Sequence, residues 1–402
     1  MGIAPNRIYK ALRKNHVEAK MLVRDKISED VNVISINTSW IAKKINFLRF
    51  VWERFIILLC NRFNYSDLYK VSIANTGTDI ISHPLVEEAD IIHLHWTNQG
   101  FLSIKNIHAL VKTGKPIVWT MHDMWTCTGI CHHAWGCENF MKECGCCPLI
   151  HSHKQKDLSY RIFKTKHFIS QSNIHIVTVS SWLKHMAQKS AITGNLMSSV
   201  IPNVIDLQNF QASDRASARK KLNLPADKKI ISMGAYNIDD PIKGFIFLKQ
   251  AMQKIYPENK DILLVLFGNI KKKHILKDTS FPVIHLGHIN DVSCIAQLYA
   301  AADVNVVPSY YETFGQTITE AMACGCPSVS FNNSGQTDII DHKINGYLAE
   351  YKNSEDLAKG ISWVLSKDRK GLADACIKKV RNNYSEAIVA EQYINLYKNL
   401  LN

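Results

Sequence analysis

Seven short apolar runs, arranged in two series, constrain this chain more than any other feature. "EADIIHLHW", "GKPIVWTMHD" and "NIHIVTVSS" follow one another from residue 88 to residue 181. "KKIISMGAYN", "DILLVLFGN", "FPVIHLGHI" and "VNVVPS" follow from residue 228 to residue 309. Near-continuous apolar runs of this length are what parallel strands buried on both faces look like. Helical stretches such as "KGFIFLKQAMQKIY" and "DVSCIAQLYAAAD" separate the later runs. Strand–helix alternation in two series predicts two Rossmann-like α/β domains. The boundaries are expected at 1–204 and 205–385, with an amphipathic helix over 386–402 returning to the first domain. The chain's 402 residues are enough for two cores of ordinary size.

In doubly wound sheets, ligands sit beyond the carboxyl ends of the strands. That rule singles out His95 and Trp96 after the first run, and His122 and Asp123 after the second. It also marks Glu312, in the loop after "VNVVPS". A helix is expected to begin near Gly315 or Gln316, which places Glu320 in its second turn. Open amides of a first helical turn suit phosphate, and Gly315 lets backbone approach a ligand closely. Two acids flanking such a turn can hold the two hydroxyl-bearing ends of one ligand while the amides hold its phosphates. A nucleotide sugar has that layout.

Charge narrows the partners. A net charge of +13 and a pI near 9.1 point to an anionic partner. Residues 40–63, "WIAKKINFLRFVWERFIILLCNRF", mix aromatics and aliphatics with Lys43, Lys44, Arg49, Arg54 and Arg62. Such a segment can lie on an anionic membrane surface, or form a partly buried helical pair with a solvated basic side. No apolar run reaches the ~20 residues of a membrane span, and "MGIAPNRIYKALRKN" has no apolar core of the secretory kind. A cytoplasmic location is expected, where the 11 cysteines stay reduced. Cys131, Cys137, Cys144 and Cys147 then suggest a structural zinc before a disulfide, because Cys144 and Cys147 have C-x2-C spacing.

The segment "YAAADVNVVPSYYETFGQTITEAMACGCPSV" resembles the donor-site region of retaining GT-B glycosyltransferases of the family 4 type, with "ETFGQTITE" as their E-x7-E motif. The resemblance extends to "IPNVIDLQNF", "DPIKGF" and "SGQTDIIDHKINGYL", and covers about residues 80–400. "HLHW" and "TMHDMWTCTGICHH" look closest to the branch that builds bacterial exopolysaccharide and O-antigen, such as the colanic acid glycosyltransferases. The resemblance implies a GT-B fold of two facing domains with a cleft between them. It implies hexose transfer from a UDP- or GDP-sugar to a lipid-linked oligosaccharide in surface and lipopolysaccharide biosynthesis, with no cofactor required for catalysis. By it, Glu312 contacts the transferred sugar, Glu320 binds the ribose and Lys243 neutralises the diphosphate. Phe314, Gly315, Gln316, Thr317, Gly234 and Gly244 complete the donor side. His122 faces the reactive centre, with His95, Trp96 and Asp123 on the acceptor side.

Two departures stand out. The family places an arginine shortly before this lysine, whereas "GAYNIDDP" has none, so Lys243 carries the phosphate alone or the second cation comes from elsewhere. Family members also start with a strand and a glycine-rich loop. Here "MGIAPNRIYKAL" resembles the end of that loop and its helix, so a first strand is expected to be missing and strand edges left unpaired. Two other readings remain: a GT-B sugar-nucleotide epimerase or phosphorylase, and a zinc-stapled nucleic-acid binder. The second lacks any recognisable nucleic-acid module. No G-x-G-x-x-G opens a helix, which argues against a dinucleotide-dependent dehydrogenase.

Overall fold

The computed structural model describes residues 2–277 and 279–402. The chain divides into two units, Met1–Pro202 with Ala390–Asn402, and Asn203–Val389.

The first unit opens with helix α1 (Ile3–Lys14), whose Ile8, Tyr9, Ala11 and Leu12 recur at helical spacing and are buried. Strands β1 (Met21–Val23) and β2 (Val33–Ser35) pair in parallel as a sheet of their own. Four further strands, β3 (Ile92–Leu94), β4 (Ile117–Met121), β5 (Ile174–Thr178) and β6 (Ser198–Val200), form a second parallel sheet in chain order. β3 and β6 are the outer strands of that sheet. Every residue of β4 and β5 is buried, as expected of mainly apolar parallel strands covered on both faces.

Residues 40–63 hold one long helix, α2 (Trp40–Cys60), rather than a helical pair. Its sides are inverted. Against the protein lie Asn46, Glu53, Arg54 and Ile57, all buried. Glu53 Oε1 accepts the amides of Ile73 (2.7 Å) and Ala74 (2.9 Å). Arg54 donates to the carbonyls of Leu68 (2.6 Å) and Val71 (2.9 Å) and pairs with Glu53 at 3.1 Å. This pairing and these hydrogen bonds offset much of the cost of burying the two charges. Outward point Trp40 (68% exposed), Ile41, Phe47 (63%), Leu48, Val51, Trp52 (51%), Phe55 and Leu59.

The second unit is one six-stranded sheet, every pair parallel, in the order β12-β11-β10-β7-β8-β9. The strands are β7 (Lys229–Asn237), β8 (Ile262–Asn269), β9 (Val283–His285), β10 (Val304–Val307), β11 (Ser328–Phe331) and β12 (Gly346–Ala349). Ile231, Leu264, Val306, Val329 and Phe331 fill its core, with Leu248 and Met252 of helix α3 (Phe245–Ile255) packed on them. From β7 the chain builds outward through β8 and β9, then crosses back to β10 on β7's other side. The order reverses between β7 and β10, which is the switch point where doubly wound sheets hold ligands. Helices α4 (Gln316–Ala323) and α5 (Glu386–Leu401) follow. Residues of α5 from Ala390 on belong with the first unit.

Candidate functional site

The loops after β7 and β10 carry Lys243 and Glu312, and helix α4 carries Glu320. Pro241–Lys243 is a single 3-10 turn closed by Gly244, which has φ +66°. A Cβ on Gly244 would lie 1.9 Å from the Pro308 carbonyl oxygen, so only glycine lets this turn press against the end of β10. The Tyr310 amide then donates to the Ile242 carbonyl at 2.8 Å, fastening the two loops together. The result is an ion pair, Lys243 Nζ to Glu312 Oε1 at 2.8 Å. Burial disfavours the Lys243 ammonium, but the Glu312 charge and hydrogen bond outweigh it and hold the lysine's pKa above its ordinary value. Lys243 is therefore a fixed cation at neutral pH.

Glu312 is held through its backbone as well. Its amide donates to Ser334 Oγ at 3.0 Å, and the Gly335 amide donates to its carbonyl at 2.8 Å. A Cβ on Gly335 would lie 2.4 Å from the Thr313 carbonyl oxygen, a second close approach only glycine permits. Gly315, at φ +109°, turns the chain into α4, leaving the amides of Gln316 and Thr317 at that helix's open end. Glu320 is buried one turn in and accepts from Gln316 Nε2 at 3.2 Å. Phe314 is buried edge-on against Tyr384. Lys243, Gly244, Glu312 and the Gly315 turn thus form one constellation beside the switch point. Gly234 lies inside β7, where a Cβ would sit 1.9 Å from the Phe267 ring, so packing there requires a residue without a side chain.

In the first unit, β3 and β4 bring His95 and His122 together, Nδ1 to Nε2 at 3.0 Å. Asp123 is engaged by His132 Nδ1 (2.7 Å) and by the Trp125 amide (2.8 Å). Burial pushes the Asp123 carboxyl up, but the His132 charge and these hydrogen bonds carry it below its ordinary value. His93, which the sequence does not single out, hydrogen-bonds Tyr397 Oη and Thr120 Oγ1, both at 2.7 Å. Tyr393 Oη meets the same Thr120 hydroxyl at 3.0 Å. Tyr393 and Tyr397 stand one turn apart on α5. That spacing was visible; their partner some 300 residues earlier in the chain was not.

Burial pulls His93 down to about 3, drives His95 well below its ordinary value, and pulls His122 down to about 4 against the opposing pull of Asp123. All three rings are neutral at pH 7. An unfolded chain protonates them near pH ~6.5, so below that pH the unfolded state binds more protons than the folded one. Their contribution to stability is complete above pH ~6.5 and is lost as pH falls through the folded values, by at most about 1.4 kcal/mol per pH unit and ring. Urea midpoints should be lower at pH 5 than at pH 7.5. An equal or higher midpoint at pH 5 would contradict this account.

The four cysteines gather in one loop region. Burial raises Cys131 and Cys144 to about 12 and Cys147 to about 11, and nearby thiols, Cys137 among them, add to each shift. Among the described residues no three His, Cys, Asp or Glu side chains are arranged to hold a metal ion.

Residues 214–383 match the family model described as "Glycosyl transferases group 1". An uncharacterized glycosyltransferase of Methanocaldococcus jannaschii is 30% identical over 326 residues, which cover 78% of this chain and 76% of that protein. A D-inositol 3-phosphate glycosyltransferase of Mycobacteroides abscessus is 26% identical over 203 residues, covering 48% of this chain and 44% of that one. Among solved structures, sucrose-phosphate synthase of Thermosynechococcus elongatus superposes with a TM-score of 0.67 at 21% identity, over 99% of this chain and 92% of that one. Anabaena HepE, solved in complex with UDP and glucose, gives a TM-score of 0.55 at 19% identity, over 80% and 83% of the two chains.

Proposed function

The chain belongs to the group 1 glycosyl transferases and has the GT-B fold, and on that premise we propose that it moves a hexose, with retention of configuration, from a UDP- or GDP-linked donor to a lipid-linked glycan in surface polysaccharide synthesis. The observation that carries this reading is the Lys243–Glu312 pair at the switch point, beside the open end of α4. Lys243 and the amides of Gln316 and Thr317 take the diphosphate, Glu320 the ribose, and Glu312 the sugar. HepE, which shares the fold, was solved with UDP and glucose, and supports a donor of this class.

Lys243 acts where charge grows. As the bond between the sugar's C1 and the phosphate oxygen breaks, negative charge collects on the leaving diphosphate, and a fixed ammonium lowers that barrier. The acceptor hydroxyl adds to C1 on the same face and gives its proton to the departing phosphate oxygen. Glu312, paired with a lysine at 2.8 Å, is a poor nucleophile in this arrangement, which favours front-face transfer over double displacement.

Purified protein given UDP- and GDP-hexoses with a lipid extract as acceptor should release UDP or GDP only when the extract is present. Interconversion of the sugar nucleotide without such release would instead favour an epimerase.

The exposed face of α2 supports a membrane-borne acceptor. No helix among the described residues is long and apolar enough to cross a membrane, but the outward face of α2 is apolar and ends in cations, with Lys44 Nζ 3.7 Å over the Trp40 ring. Aromatics at the headgroup level with flanking cations bind anionic bilayers, which would place the enzyme at the inner face of the cytoplasmic membrane. Flotation with phosphatidylglycerol-containing vesicles should capture the protein, and Trp40→Asp with Trp52→Asp should weaken capture by about tenfold or more. Equal capture of the double variant would remove α2 from this role.

A further inference from the structure

Beyond β3 and β4, a small crevice is lined by His95, Trp96, Thr97, Asn98, His122 and Asp123, among others. Its volume is about 10 Å³, room for one water-sized group and not for a sugar ring. The polar atoms around it are unequally occupied. His95 and His122 are bonded to each other, and Asp123 to His132 and Trp125. Thr97 and Asn98 are 4% and 3% exposed, yet Thr97 Oγ1 and both Asn98 side-chain atoms, Oδ1 and Nδ2, have no hydrogen-bond partner among the described residues. Buried amides and hydroxyls left in that state are costly, and a polar group bound in the crevice beside them relieves that cost.

We propose that Thr97 and Asn98 form a specificity pocket for one hydroxyl of the acceptor sugar. The proposal rests on the glycosyl-transfer reading and names residues for its acceptor side. Asn98 offers a carbonyl oxygen and an amide N–H together, so it can accept from a hydroxyl and donate to the same or the vicinal oxygen. Trp96, 45% exposed and lining the same crevice, supplies a flat apolar surface for the ring that carries this hydroxyl. The position, past the carboxyl ends of adjacent parallel strands, is where such sheets hold ligands. A site built to hydrogen-bond a hydroxyl rejects analogues lacking it, because its polar groups are then left unpaired. The pair therefore selects the acceptor by one hydroxyl and its stereochemistry.

The test uses the full-length protein and a panel of methyl α- and β-hexopyranosides, with binding read by saturation-transfer NMR. At least one glycoside should bind the wild type, its 4-epimer or matching deoxy analogue should bind at least about tenfold more weakly, and Asn98→Ala should lose the discrimination. Thr97→Val, which keeps the side-chain volume, gives the same reading if Asn98→Ala does not fold. UDP and GDP titrated into the same samples report the donor side separately. Failure of both nucleotides to bind counts against the proposed function, whereas nucleotide binding without glycoside binding counts against the pocket alone. Glycoside binding that is equal in wild type and both variants would mean that the crevice holds a structural water only, and would overturn the proposal.

Discussion

Lys243→Ala should lower kcat by about 10²–10³-fold, with a smaller change in donor KM. The asymmetry follows from the role assigned: the ammonium interacts more strongly with the leaving diphosphate in the transition state than with the bound donor. The size follows from the sequence, since no arginine in "GAYNIDDP" stands by to replace it. Lys243→Arg should recover only part of the loss, because the turn that places the lysine is fixed by the Gly244–Pro308 approach and a planar guanidinium does not reproduce a compact ammonium charge. Steady-state kinetics on the three proteins decides this. A kcat for Lys243→Ala within threefold of wild type, about 0.7 kcal/mol, would place the phosphate elsewhere.

Glu312→Gln should cost about 10²-fold in kcat, the loss of one charge-assisted hydrogen bond to the sugar together with the Lys243 pairing. Its diagnostic value lies in what it does not do. Were Glu312 a covalent nucleophile, Glu312→Ala would be inactive and azide would restore turnover by forming a glycosyl azide. Front-face transfer predicts no azide rescue, because the leaving phosphate itself takes the acceptor's proton. A glycosyl azide product, or full turnover by Glu312→Gln, would remove the assigned role.

The fold could be read from the sequence because buried parallel strands leave a one-dimensional trace. "DILLVLFGN" and "VNVVPS" are mainly apolar, and they contain β8 and β10, on whose apolar side chains helix α3 packs. Strand ends were equally legible, which is why Glu312, His95 and His122 could be placed before any coordinates. What escaped was set by long-range hydrogen bonds. Ser334 and Gly335 steady Glu312 from a loop that has no periodicity of its own. His93 looked like an ordinary strand residue because Tyr397 and Thr120, which satisfy its ring, are remote in sequence. In α2 the composition was visible but the orientation was not. Asn46, Glu53 and Arg54 face inward because the backbone of residues 68–74 accepts or donates to the two charged ones, and nothing in the local pattern of "WIAKKINFLRFVWERF" announces that. Gly234 was legible only in part: its place at a strand's end was visible, while the Phe267 ring that requires a residue without a Cβ there was not.

The most direct test of the central claim is a crystal structure of the protein with a UDP- or GDP-hexose, chosen from whichever donor stabilises it in a thermal-shift screen. The account predicts the diphosphate within hydrogen-bond distance of Lys243 Nζ and of the Gln316 and Thr317 amides, the ribose hydroxyls on Glu320, and Glu312 on the hexose. A nucleotide sugar bound away from the β7–β10 switch point, with the Lys243–Glu312 pair untouched, would contradict it.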